Sequence, residues 1–140
     1  MNAAHNTRTG GVLEAMVLPA LANGGYRYQT QVRIGERPNG RRHFLDVLAN
    51  DDDNNEYLIS LKWQQVSGTA EQKVPYEIIC LAEAIQKENG TKAYLVLGGA
   101  GWSLRDYYLG GGLNRHLVHA DLVTLMDLEN FVALANQGKL

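Results

Sequence analysis

Arg42-Arg-His-Phe-Leu-Asp46-Val-Leu-Ala-Asn50, Asp51-Asp-Asp-Asn-Asn55, Glu56-Tyr-Leu-Ile-Ser60-Leu-Lys62-Trp-Gln64: this stretch decides the fold. It reads as two strands joined by a polar turn. In the second strand the side chains alternate, so Tyr57, Ile59, Leu61 and Trp63 share one face while Leu58, Ser60, Lys62 and Gln64 share the other. A lysine in mid-strand among apolar residues costs free energy to desolvate, and chains seldom place one there without an anionic or hydrogen-bonding partner. Asp46 on the preceding strand is the expected partner. The bland reading of the two is a buried cross-strand ion pair, which contributes little net stability.

Towards the N-terminus, Tyr26 to Ile34 alternates apolar and polar residues as a further strand, and Gly35 to Gly40 has the composition of a hairpin turn. Before it, Leu13, Val17 and Leu21 form one helical stripe, kinked near its end by Pro19 and stopped by Asn23-Gly24-Gly25. Residues 1–9 are polar and unpatterned, and a flexible tail is expected there, with a single domain over 10–140. Towards the C-terminus, Thr69 and Gln72 have capping-box spacing. The long helix that follows carries Val74, Ile78, Leu81, Ala82 and Ile85, with Pro75 marking either its start or an irregular first turn. Lys92 to Leu97 is a buried strand, Trp102 to Leu109 a short helix, and Leu122 to Met126 a last strand before a helix capped by Asp127. The glycines from Gly98 to Gly101 do not have dinucleotide-binding spacing.

The chain has 140 residues and a mass of 15.5 kDa, enough for one domain that buries about two-thirds of its unfolded surface. A net charge of −2 gives no global basic field, although Arg27, Arg33, Arg37, Arg41 and Arg42 cluster just ahead of Asp51, Asp52 and Asp53. Those three acids lack the glycine and distal glutamate of a calcium loop and read as a solvated hairpin tip. The single Cys80 excludes an intramolecular disulfide and is expected to be a buried thiol. His116 and His119 have no third ligand nearby and read as surface or core histidines. With no apolar run long enough to span a bilayer and no leader-like segment, a soluble cytoplasmic protein is expected.

The order αβββαβ, with an acid on the second strand and serine-x-lysine on the third, resembles the PD-(D/E)XK nuclease superfamily. Asp46 matches its first acid, Ser60-Leu61-Lys62 the (D/E)xK triplet, and Glu14 the additional glutamate that many members carry on the first helix. Leu45 replaces the usual proline, without consequence for the chemistry. Ser60, by contrast, stands where an acid usually binds metal. A restriction-endonuclease branch of the superfamily has serine-x-lysine and moves the acid to the next helix, where Glu77 lies fifteen residues after Lys62. Glu71 is the fallback for that role. On spacing alone, Glu14 and Glu77 also read as solvent-facing helix residues.

The resemblance implies an α/β, restriction-endonuclease-like αβββαβ core with a mixed sheet flanked by helices. It also implies an Mg²⁺-dependent endonuclease, with Mn²⁺ as a possible substitute, cutting DNA as a homing, restriction-like or junction-resolving homodimer. The expected catalytic set is Asp46, Lys62, Glu14, Ser60, Glu77 and Gln64, with Asp46, Glu14, Glu77 and the Leu61 carbonyl as hard oxygen ligands for the metal. Arg41, Arg42, Gln65 and Lys73 flank the motif strands as candidate phosphate contacts, or as ordinary solvated edge residues. The alternative is a catalytically idle relative that binds nucleic acid or a protein partner, and Ser60 is the feature that keeps it open.

Overall fold

Five strands form one mixed sheet in the order β1-β2-β3-β4-β5. They are β1 (Arg27–Glu36), β2 (Arg42–Asn50), β3 (Glu56–Trp63), β4 (Lys92–Gly98) and β5 (Val123–Asp127). The first three run antiparallel as a meander, whereas β3–β4 and β4–β5 pair in parallel. The computed structural model describes residues 9–87 and 90–140, so all of the expected tail except Thr9 lies outside the described residues. Thr9 itself already belongs to the first helix.

Helix α1 spans residues 9–23 and contains a wider turn, Leu13–Val17, ahead of the regular segment Leu18–Asn23. Pro19 has no N–H for the Ala15 carbonyl, and its ring crowds that oxygen. The wide turn, in which the Leu18 N–H reaches Leu13 O, makes room for it. With α4 (Leu128–Asn136), α1 covers one face of the sheet, burying Val47, Ile59, Leu61, Tyr94 and Val96 against Val17, Leu21 and Phe131. Asp127 caps α4 as expected, its carboxylate accepting the Asn130 N–H at 2.8 Å.

The other face is covered by α2 (Ala70–Gln86) and the short α3 (Arg105–Leu109), over Leu45, Leu58, Leu95 and Leu97. Because strand side chains alternate, the face of β3 that buries Leu58 under α2 also points Ser60 and Lys62 towards that helix. This alternation is what fixes the position of the site.

Two expectations about α2 change. Thr69 makes no side-chain cap bond; instead Gln64 Oε1 accepts the Ala70 N–H at 3.0 Å, so a glutamine from the end of β3 caps the helix. The helix also continues past Pro75, which lies inside it rather than at its start. The carbonyl that Pro75 leaves without its usual donor is that of Glu71, and the buried Tyr108 hydroxyl donates to it at 2.8 Å. Tyr108→Phe strands that carbonyl, and chemical denaturation is expected to show a loss of about 1–3 kcal/mol. A variant as stable as the parent would mean that the proline is tolerated for another reason.

At the hairpin tip, Asp51 accepts the Asp53 and Asn55 N–H groups, the Asn55 side chain and the Tyr57 hydroxyl. That self-satisfied turn fits the reading of a hairpin tip rather than a calcium loop. Burial, reinforced by Asp51, pushes the Tyr57 hydroxyl up to about 12.

Candidate active site

The β2–β3 ladder runs from Asn50↔Glu56 to Val47↔Ile59, and the next pair in register is Asp46 and Ser60. There the strands part. Asp46 Oδ2 accepts the Leu61 N–H at 2.8 Å, so a side chain takes the place of a ladder bond. On the other side of β2, the β1 ladder steps from Thr30↔Val47 to Val32↔Leu45, and the intervening Gln31 has φ 53, a left-handed backbone seldom adopted by a residue with a side chain. The kink shows in the packing. Leu45 and Val47, two positions apart, would share a face in a regular strand, yet Leu45 packs under α2 and Val47 under α1 and α4.

The opened strands and the start of α2 wall a cleft of about 390 Å³ lined by Gln31, Asp46, Leu61, Lys62, Thr69 and Lys73, with Gly10 and Leu13 of α1 opposite. Asp46 sits on its wall with its carboxyl raised above the ordinary value. Burial drives that shift, and the Leu61 N–H and the positive charge of Lys62 only partly offset it. The expected Asp46–Lys62 ion pair is not formed. Among the described residues Lys62 makes no salt bridge, and its charge acts at longer range on both Asp46 and Glu77. The reason is that the strands part here, and the main chain claims the Asp46 oxygen nearest β3.

Glu77 is buried on α2 rather than solvent-facing, and both its oxygens are engaged. Oε2 accepts the Ser60 hydroxyl and Oε1 accepts Arg37 Nη1, each at 2.8 Å. Burial would raise its pKa, but Lys62, Arg37 and Ser60 together hold the carboxyl below its ordinary value. Ser60 therefore delivers a hydroxyl to Glu77 from the position where the family motif usually has an acid. The sequence marks Arg37 only as one of a cluster of arginines, without a role at the site. Arg37 arrives from the β1–β2 turn, which is closed by Arg37 N to Arg41 O and Gly40 N to Arg37 O. Beside it lies His43, buried and lowered in pKa by burial and by Arg37, with Nε2 lacking a hydrogen-bond partner among the described residues. Cys80 is the buried free thiol that was expected.

Of the remaining expected site residues, only Lys73 lines the cleft. Gln64 is a brace: besides capping α2 it donates to Gly101 O at 2.9 Å, and its amide does not line the cleft. Gly101 lies so close to the β3–α2 connection that a Cβ there would be 2.5 Å from the Val66 carbonyl carbon. Glu71 accepts the Ser103 hydroxyl and the Leu104 N–H at the start of α3 and is committed there. Glu14 is exposed on α1; its helix neighbours Gly10 and Leu13 line the cleft, and it does not. Lys73 is exposed on the rim, whereas Arg41, Arg42 and Gln65 are exposed away from the lining. His116 and His119 are also exposed.

The profile of the PD-(D/E)XK nuclease superfamily domain matches residues 5–139. The chain belongs to the PD-(D/E)XK nuclease superfamily. No curated protein sequence matches it. Among solved structures it resembles a crystallised protein of unknown function, with a TM-score of 0.50 and 15% identity, over 79% of this chain and 54% of that one. It also resembles a repair endonuclease from Pyrococcus abyssi, with a TM-score of 0.42 and 17% identity, over 91% of this chain and 46% of that one. The chain thus spans about half the length of these two proteins. The restriction-endonuclease-like α/β fold expected from the sequence is the one observed. Among the described residues, no helix is long and apolar enough to cross a membrane.

Nucleases of this superfamily typically use divalent cations. Among the described residues there is no group of three or more His, Cys, Asp or Glu side chains placed to hold a metal. The cleft nevertheless fits a hard cation held by few protein ligands. Asp46 offers a carboxylate whose one protein hydrogen bond, among the described residues, is to Leu61 N–H. Leu61 shares the lining, and such ions commonly take their other ligands from water and phosphate.

Proposed function

We propose that this protein is an Mg²⁺-dependent endonuclease acting on DNA, with Asp46 and Lys62 at the reacting phosphodiester. The observation that carries the reading is that the Asp46 carboxylate and the Lys62 side chain line one polar cleft where β2 and β3 part. A divalent cation bound there supplies Lewis-acid activation of the phosphate and charge neutralisation. Asp46 and the Leu61 carbonyl would hold it, with Mn²⁺ as a substitute.

Lys62 Nζ donates hydrogen bonds to the attacking water and to a non-bridging phosphate oxygen, countering charge that builds up as the bond to water forms. Lys62 reaches the cleft lining from the strand face it shares with Ser60. Lys73 on the rim meets a neighbouring phosphate, a contact that positions the strand without reading its sequence. In this reading Arg41 and Arg42 extend the basic track along the hairpin. Double-strand cutting needs a cleft on each strand, and a homodimer presents two clefts to opposite strands. Restriction-like, homing and junction-resolving activities all remain within the proposal.

The second reading, an idle nucleic-acid-binding relative, is favoured by one observation: Arg37 and Ser60 occupy both oxygens of Glu77, the candidate replacement ligand. Cleavage of plasmid, single-stranded and branched DNA with and without Mg²⁺ separates the two. Wild type is expected to cut, and Asp46→Asn to lose cutting by about a hundredfold or more. The Asn variant should melt no lower than wild type, because it removes a desolvated charge while its amide oxygen can still accept the Leu61 N–H. DNA binding without cleavage by wild type would favour the idle module, and undiminished cleavage by Asp46→Asn would remove Asp46 from the site.

A further inference from the structure

We propose that Arg37 is a positioning residue that occupies Glu77 in place of the divalent cation, so that cation binding at the Asp46 cleft competes with the Arg37–Glu77 pair. The inference rests on the nuclease reading of the cleft and goes beyond it by assigning a role to a residue of the β1–β2 turn.

Three observations carry it. First, the pair is close and oriented: Arg37 Nη1 lies 2.8 Å from Glu77 Oε1, with the Arg37 side chain 22% exposed and that of Glu77 6%. Second, Asp46, which lines the cleft, feels the charge of Glu77, which lies outside the lining. The other oxygen of Glu77 takes the hydroxyl of Ser60, the residue that faces Asp46 in the continued β2–β3 register, and Lys62 of the cleft wall acts on its charge. Third, the arginine is on the outer element of the pair: Glu77 stands on the core helix α2, whereas Arg37 opens a turn whose residues 38–41 are all exposed.

The physical logic is electrostatic. A buried carboxylate needs a counter-charge, and a guanidinium supplies one until a cation of higher charge density arrives. Once released, Glu77 adds a hard oxygen to a site that otherwise has the one carboxylate of Asp46, and more carboxylate charge tightens divalent binding. A phosphate that draws Arg37 towards itself favours the same release, so by linkage substrate and cation would strengthen each other's binding.

Mn²⁺ binding to the full chain, measured by calorimetry and by Mn²⁺ magnetic resonance without nucleic acid, tests this by its sign. Arg37→Met is expected to bind Mn²⁺ about tenfold tighter than wild type, a coupling of ordinary size. Arg37→Lys, which keeps a charge beside Glu77, should stay near wild type, and so should Arg33→Met, at an exposed arginine of β1. Adding Glu77→Gln to Arg37→Met should return the affinity to the wild-type value. A merely structural role for Arg37 predicts weaker or equal binding, so Arg37→Met binding no tighter than wild type overturns the inference. If wild type still binds and Asp46→Asn abolishes binding, the cleft itself stands. Absence of Mn²⁺ binding by every variant that circular dichroism shows to be folded overturns both the inference and the metal-dependent reading beneath it.

Discussion

Lys62→Met lowers the single-turnover rate of Mg²⁺-dependent cleavage by about a thousandfold, the combined loss expected when one residue orients the nucleophile and counters transition-state charge. Methionine keeps most of the lysine stem, so the packing between Ser60 and the α2 face survives. The electrostatic consequences run in one direction. Lys62 offsets the upward shift of Asp46 and contributes to holding Glu77 below its ordinary value, so its loss makes both carboxyls harder to ionise. The cleavage of the variant should therefore recover partly as pH rises, whereas DNA binding should weaken only modestly. Rates within threefold of wild type, in a variant that melts at the wild-type temperature, would mean that this ammonium takes no part in the reaction.

Glu77→Gln destabilises the fold by about 3 kcal/mol at neutral pH, a large part of the 5–15 kcal/mol that holds a domain of this kind together. The amide still accepts the Ser60 hydroxyl, but Arg37 loses its counter-charge and Lys62 loses a nearby anion. The pH dependence has a definite sign. Because the folded pKa of Glu77 is depressed, its contribution is fully present above the unfolded value of about 4.3 and is lost as pH falls through the lower folded value. The gap between wild type and variant should thus narrow in acid. Asp46 acts oppositely: its raised folded pKa costs stability once pH exceeds its unfolded value, and protonation in acid relieves that cost. Urea titrations of wild type, Glu77→Gln and Asp46→Asn across this acid range resolve the two arms. A gap that does not change with pH would place the worth of Glu77 in packing rather than charge.

The order of elements was legible because periodicity is a local property. Alternation along β2 and β3 marked the strands, and the unbroken apolar run of β4 announced a strand buried on both faces, with Tyr94 and Val96 on one side and Leu95 and Leu97 on the other. Asp46, Ser60 and Lys62 were legible for the same reason, since mid-strand polar residues on one face must answer to something. The roles of Gln64 and Glu71 were not. Gln64 donates to the Gly101 carbonyl and Glu71 accepts the Leu104 N–H, both on a loop far along the chain, and no spacing within either element reveals that. Tyr108 capping the Glu71 carbonyl across 37 residues is of the same kind.

The sequence by itself determined the strand-and-helix order, the face of β3 that carries the polar groups, and the motif that places the chain in its superfamily. The tertiary structure alone decided how those groups are satisfied. Where β2 and β3 part, Asp46 bonds to the main chain of Leu61 rather than to Lys62, Leu45 packs under α2, and the β1–β2 turn brings Arg37 to Glu77. The physical reason is that a charge is neutralised by whatever lies nearest in space, and the bend of one strand, which no local period records, sets that distance.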